Sequence, residues 1–149
     1  MTSKISVVAS AKNRDTMPDE SAPLRALAVD DDPITLSMAC QMLEVLGLQV
    51  DTADDGIAAL GFLDGRRYDL LLTDLQMPKI DGYALADMLK RRLKHLRVVI
   101  MTGCARPEVE EYMQTDLVDC WLFKPFSLEV LKERLQVLFG ADKAPRLYP

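Results

Sequence analysis

The sequence predicts an α/β protein built on one five-stranded parallel sheet with helices on both faces. Two observations carry this. From Leu24 onward, apolar runs of strand length alternate five times with stretches of helical period. Two of those runs, "YDLLLTD" and "LRVVIMTG", are apolar on consecutive residues, as strands covered on both faces have to be. At 149 residues the chain is long enough to bury one such core.

The elements follow in order. Residues 1–23 are polar, carry prolines and show no sustained periodicity, so they read as a flexible extension with a little local structure around Ile5 to Ala9. "RALAVD" is the first strand. Asp32 suits the N-cap of the first helix and Pro33 its first turn, where no amide donor is needed; Gly47 stops that helix after Leu46. "LQVDTA" is the second strand, and "DDGIAALGFLDG" a short helix capped by Asp54 and Asp55 and followed by Gly65. "YDLLLTD" and "DGYALADMLKRRL" give the third strand and helix, "LRVVIMTG" and "RPEVEEYMQTDL" the fourth. "DCWLFK" is the fifth strand, and Ser127 opens a last amphipathic helix, "SLEVLKERLQVLFG". The expected organisation is an extension over 1–23, one domain over 24–140 and a tail over 141–149.

Charge and composition narrow the function. A formal charge of -5 disfavours direct nucleic-acid binding, which needs a basic face, and suits proteins or cations as partners. No apolar run reaches the roughly 18 residues of a membrane span, and "ISVVASA" breaks into "KNRD", so neither a membrane anchor nor a secretory signal is expected. Cys40, Cys104 and Cys120 lack metal-type spacing and read as reduced thiols of a cytoplasmic protein. The sole histidine, His95, lies in the basic stretch "KRRLKHLR" and reads as a solvated surface residue, which excludes metal sites built on His and Cys.

Parallel sheets of this kind bind ligands beyond the carboxyl ends of their strands. There the chain places Asp30, Asp31 and Asp32 after strand one, while Asp74 ends strand three, Thr102 ends strand four and Lys124 ends strand five. Asp32, next to Pro33, reads as a helix cap. Asp30, Asp31 and Asp74 offer hard oxygen ligands alone, the donor set of Mg²⁺ or Mn²⁺. Lys124 and Thr102 supply a positive charge and a hydroxyl for phosphoryl oxygens, and a carboxylate can itself be the nucleophile.

The run "LAVDDDP", "ADDGIAALGFL", "YDLLLTDLQMPKIDG", "VVIMTG" and "WLFKPFS" resembles the receiver domain of two-component response regulators, over about Leu24 to Phe139. The resemblance implies the flavodoxin-like, CheY-like (βα)5 fold. It implies that Asp74 accepts a phosphoryl group, that Asp30 and Asp31 hold Mg²⁺ with the backbone carbonyl of Gln76, and that Thr102 and Lys124 bind phosphoryl oxygens. It also implies a cis Lys124–Pro125 peptide, a loop shaped by Pro78 and Gly82, and a state-dependent rotamer for the aromatic Trp121. The implied partners are a histidine kinase or histidine phosphotransfer protein and a downstream protein target, and the resemblance allows a phosphorylation-dependent dimer. Such a protein is a phosphoacceptor that assists its own phosphorylation and slow dephosphorylation, rather than an enzyme acting on a substrate.

The chain departs from the family pattern in places. Gly103 stands where alanine is usual, which keeps access open. Leu117-Val118 replaces a Gly-Ala pair, removing the residue best suited to a left-handed helix stop, so the fourth helix is expected to end irregularly. That puts the family's output face of helix four, strand five and helix five in doubt. Gln76 and Cys104 flank the route of the hydrolytic water in receivers, and neither orients water strongly. The first helix is apolar over an arc of roughly 240° at about 100° per residue, more than one core stripe needs. That arc takes in Ile34, Val45, Met38, Met42, Leu46, Ala39, Leu43, Leu36 and Cys40. Either the helix is closely covered, packed under the N-terminal extension, or it is a docking face, since the family docks its phosphodonor at this helix.

Three functions compete. With only a short tail after Gly140, the first is a stand-alone switch or relay carrier. The second is a phosphorylation-independent interaction module, against which the full set of pocket residues argues. The third is a haloacid-dehalogenase-type phosphatase, which needs a second aspartate where this chain has Gln76, an amide with no titrating proton.

Overall fold

The computed structural model describes residues 22–140. The extension expected over residues 1–23 therefore lies outside the described residues apart from Ala22 and Pro23, as does the tail over residues 141–149. Strands β1 (Arg25–Val29), β2 (Gln49–Ala53), β3 (Leu70–Asp74), β4 (Arg97–Thr102) and β5 (Cys120–Phe123) alternate with helices α1 (Pro33–Val45), α2 (Gly56–Gly61), α3 (Gly82–Arg92), α4 (Arg106–Met113) and α5 (Leu128–Phe139). All strand pairs are parallel, in the order β2-β1-β3-β4-β5. This is the doubly wound five-stranded α/β fold that the sequence predicts. Among the described residues no helix is long and apolar enough to cross a membrane.

The consecutive apolar runs are strands buried on both faces: every residue of β3 is buried, and in β4 only Arg97 is exposed. One face packs Leu70, Leu72, Val99 and Met101 against α1 and α5 through Ala39, Leu43, Leu131 and Leu135. The other packs Leu71, Val98 and Ile100 against α2, α3 and α4 through Ala59, Leu85, Leu89 and Val109. Side chains alternate across a strand, so each strand feeds both layers.

Four of the five helices open on a side-chain cap, three of them on residues that the sequence names, Asp32, Asp55 and Ser127. Asp32 accepts from the amides of Ile34 and Thr35, Asp55 from Ala58, Asp81 from Ala84 and Ser127 from Val130. Each satisfies amides that the first helical turn leaves without partners. Two ends differ. Helix α2 closes at Gly61, capped by Phe62, so residues 62–65 form turns before Gly65 at φ 70°. Helix α4 ends at Met113 with Gln114 as its C-cap, short of the run through Leu117 that the sequence suggests. Its N-cap, Ala105, has no side-chain acceptor.

The long arc on α1 divides. Ala39, Leu43 and Leu46 are buried, and Leu36 and Met42 pack at the edge of the core. Ile34, Met38 and Val45 stay 78%, 40% and 54% exposed. The apolar excess therefore forms an open face, and Leu36 is not part of it.

Candidate functional site

The parallel sheet brings the ends of β1, β3, β4 and β5 to one edge. Asp30 (1% exposed), Thr73 (0%), Asp74 (9%) and Thr102 (1%) are the buried polar residues among those described, and Asp30, Asp74 and Thr102 lie at this edge beside a half-buried Lys124. The Lys124 ammonium donates to Asp30 Oδ2 and Asp74 Oδ1, each at 3.0 Å. The other oxygen of Asp30 accepts from the amide of Asp32 at 2.9 Å, which tethers the turn into α1. Asp31 is exposed, yet Asp30, Asp31 and Asp74 each place a carboxylate oxygen within 4.8 Å of the others. Asp32 caps α1, its carboxylate also accepting from the Thr35 hydroxyl at 2.6 Å.

These contacts leave surplus negative charge. Burial pushes the Asp74 carboxyl above its ordinary range; Lys124 opposes this, and the charges of Asp30 and Asp31 add to it. Burial alone would pull the Lys124 ammonium down. Its bonds to Asp74 and Asp30 outweigh that, and it ends above its usual value. One lysine serves two carboxylates with a third beside them. A pocket of oxygen donors with unbalanced negative charge fits a hard divalent cation, and among the described residues this trio is the one such group.

The backbone around Asp74 is tightly held. Gly82, opening α3, donates its amide to the carbonyl of Leu75 at 2.8 Å. A Cβ on Gly82 would lie 2.1 Å from the backbone oxygen of Asp74, so the β3–α3 loop closes on glycine alone. Thr73 donates its hydroxyl to that same oxygen at 3.0 Å. On the other side, the Lys124 amide donates to the carbonyl of Thr102 at 2.8 Å, and the Lys124–Pro125 peptide is cis. Thr102 Oγ1 accepts from the Cys104 amide at 3.0 Å.

A cleft of about 420 Å³ opens over Asp74, lined also by Gln76, Thr102, Gly103, Cys104, Glu108 and Lys124. Gln76 and Cys104 thus reach the pocket that sequence reasoning assigned them to. Gly103 has open space where a Cβ would be, so a methyl group there would meet no neighbouring atom. Trp121 is half-buried on β5 and belongs to an aromatic row: its ring centroid lies 6.4 Å from Tyr112, which lies 5.0 Å from Tyr83. Glu108 was not foreseen. It sits in the first turn of α4 and lines the cleft, and its only sequence signal was an acid at a helix start.

The family description "Response regulator receiver domain" matches residues 26–136. The sensor histidine kinase RcsC of Salmonella typhimurium is 36% identical over 123 residues, which are 83% of this chain and 13% of the kinase. The chain therefore corresponds to a small part of that curated relative. Chemotaxis protein CheY4 of Vibrio cholerae superposes with a TM-score of 0.72 at 29% identity, covering 78% of this chain and 99% of its own. The receiver domain of the sensor histidine kinase PA1611 from Pseudomonas aeruginosa, with a magnesium ion coordinated in its active-site cleft, superposes with a TM-score of 0.70 at 28% identity. That match covers 80% of this chain and all of the other.

Proposed function

The chain belongs to the response regulator receiver family, and on that premise we propose that Asp74 takes a phosphoryl group from a phosphohistidine of a partner protein, so that the domain acts as a switch or relay carrier. The observation that carries the proposal is the Lys124 ammonium held at 3.0 Å from both Asp30 and Asp74 in an otherwise acidic pocket. A carboxylate oxygen of Asp74 attacks phosphorus, the bond from phosphorus to the donor nitrogen breaks, and an acyl phosphate remains on Asp74. Lys124 is placed to exchange part of its bond with Asp74 for one to a phosphoryl oxygen, and the Thr102 hydroxyl is a second donor. Asp30, Asp31 and Asp74, with the carbonyl of Gln76, would hold Mg²⁺ or Mn²⁺, which when bound neutralises charge on the phosphoryl oxygens.

We assign the donor's docking surface to α1, where exposed Ile34 lies next to the acidic edge and exposed Met38 and Val45 continue the open face along the helix away from it. We take the signalling unit to be residues 24–140, and its three free cysteines suit a reducing, cytoplasmic setting.

Labelling tests the assignment. Radiolabelled acetyl phosphate with magnesium should label the chain, the label should be lost on mild alkaline hydrolysis, and Asp74→Asn should take up none. Label persisting in that variant, or full labelling in EDTA, would overturn it.

A further inference from the structure

A second cleft, of about 550 Å³, lies between the β3–α3 loop and α4. It is outside the acidic trio and outside the face of α1. Its floor is apolar: Leu75 and Val109 are buried, and Met77 and Tyr112 line it half-buried. Its rim is acidic, with Asp81, Glu108 and Glu111 lining it and no basic residue among the described ones that do. Asp81 spends one carboxylate oxygen on the Ala84 amide, whereas Glu108 and Glu111 are exposed. The cleft also continues into the pocket over Asp74, because Gln76, Cys104 and Glu108 line both.

We propose that this cleft is a docking groove for a short segment of a partner protein in which a lysine or arginine is flanked by apolar side chains. Size, charge and place each bear on that occupant. The volume falls in the range of about 300–1,000 Å³ typical of ligand pockets, room for a few side chains but not for a whole helix. A floor of leucine, valine, methionine and tyrosine takes apolar side chains, and methionine adapts to differing shapes. A rim of carboxylates favours a cation and repels nucleic acid, anionic metabolites and acidic peptides. A segment seated here lies against the mouth of the pocket over Asp74 and so controls what reaches that carboxylate from the side of α4.

The proposal does not depend on phosphorylation of Asp74, because the test uses neither phosphodonor nor metal. The ¹⁵N-labelled full chain is titrated at low salt with the peptide acetyl-Leu-Arg-Met-Lys-Leu-amide. Its controls are the charge-reversed acetyl-Leu-Glu-Met-Glu-Leu-amide and the apolar-stripped acetyl-Gly-Arg-Gly-Lys-Gly-amide. The expected result is saturable amide shifts at Met77, Glu108, Val109 and Tyr112, with a dissociation constant of about 1 mM, and little response to either control. Glu108→Gln with Glu111→Gln, both exposed and so harmless to folding, should weaken binding about fivefold or more, as should raised salt.

Equal binding of the charge-reversed peptide, shifts centred elsewhere, or no shift at several millimolar peptide would overturn the proposal. Two other occupants would show without peptide. A chain ending at Gly140 whose groove amides differ from those of the full chain would identify residues 141–149 as the occupant. Shifts at these amides that grow with protein concentration would identify a second copy. Either result overturns the partner assignment.

Discussion

Replacing Asp74 with asparagine should stabilise the metal-free protein at pH 7 while abolishing its function. Carboxylate oxygens of Asp30, Asp31 and Asp74 come within 4.8 Å of one another. At an effective dielectric of about 20, two charges at that separation repel by about 3.5 kcal/mol. Lys124, 3.0 Å from Asp74, returns about 5.5 kcal/mol on the same basis. Asp31 is exposed and its repulsion is reduced by solvent, so charges nearly cancel for Asp74 and its burial is left uncompensated. That is why its carboxyl is raised, with desolvation as the first cause.

The sign follows from linkage. A carboxyl raised on folding holds its proton more tightly in the folded state. Stability therefore falls as pH rises from the unfolded value, near 3.9, through the folded one, and the whole penalty is present above that. Asparagine keeps the shape and an acceptor for Lys124 but carries no charge. The expected gain is about 1–3 kcal/mol, the usual penalty for a poorly compensated buried polar group. For a domain of this size it should appear as roughly 3–6 °C in Tm per kcal/mol. Calorimetry in EDTA and in magnesium, between pH 4 and 7, measures it. The advantage of Asp74→Asn should shrink toward pH 4, and magnesium should raise the Tm of the native chain more than that of the variant. A variant no more stable than the native chain in EDTA at pH 7, or an advantage independent of pH, would refute the reasoning.

Three further outcomes are expected. Ile34→Glu changes a side chain that is 78% exposed, so it should slow phosphotransfer from the protein donor and leave labelling by acetyl phosphate intact; equal loss with both donors would mean a damaged fold. Cys104→Glu places a carboxylate in the cleft over Asp74, and the orienting contact it adds should speed release of phosphate by roughly tenfold to a hundredfold; an unchanged lifetime would show that the position is a bystander. Tyr68 is buried and its hydroxyl donates to Asp51. Burial first and the Asp51 carboxylate second push its pKa up to about 12. Between the usual tyrosine value near 10 and that value the unfolded chain ionises while the folded one does not, so stability falls as pH rises across the window. Tyr68→Phe should flatten this fall and remove a late step from the absorbance titration at 295 nm.

Much of the molecule is legible without its structure. Strand residues such as Leu70 to Leu72 announce double-sided burial by being apolar in succession, and Asp32, Asp55 and Ser127 announce helix starts through their side-chain chemistry. These are local properties. The misjudged ends were those where local signals conflict. Gly61 lies inside an apolar run and yet ends α2, because glycine and the turns after it favour leaving the helix. Likewise, α4 stops at Met113 although its pattern runs on to Leu117.

The candidate site residues are legible as strand-end residues but not in their arrangement. That Asp30, Asp74, Thr102 and Lys124 stand at strand ends follows from the alternation of strands and helices, since a parallel sheet puts all such ends on one edge. Which carboxylates share the lysine does not, because it depends on the order β2-β1-β3-β4-β5, which sets β1 beside β3 and β5 beyond β4. Periodicity on α1 shows an apolar excess, but only the packed helix separates exposed Ile34 from Leu36 at the core edge. The demand for glycine at position 82 comes from a backbone oxygen eight residues earlier in the chain. Glu108 reaches the cleft only because α4 is laid against the β3–α3 loop. The sequence by itself determined the elements, their order and the chemistry at the sheet edge, since period and capping act between residues a few positions apart. Tertiary structure decided which charges meet, which apolar side chains stay open and where the second cleft lies, because those depend on contacts between segments that sequence separation leaves unspecified.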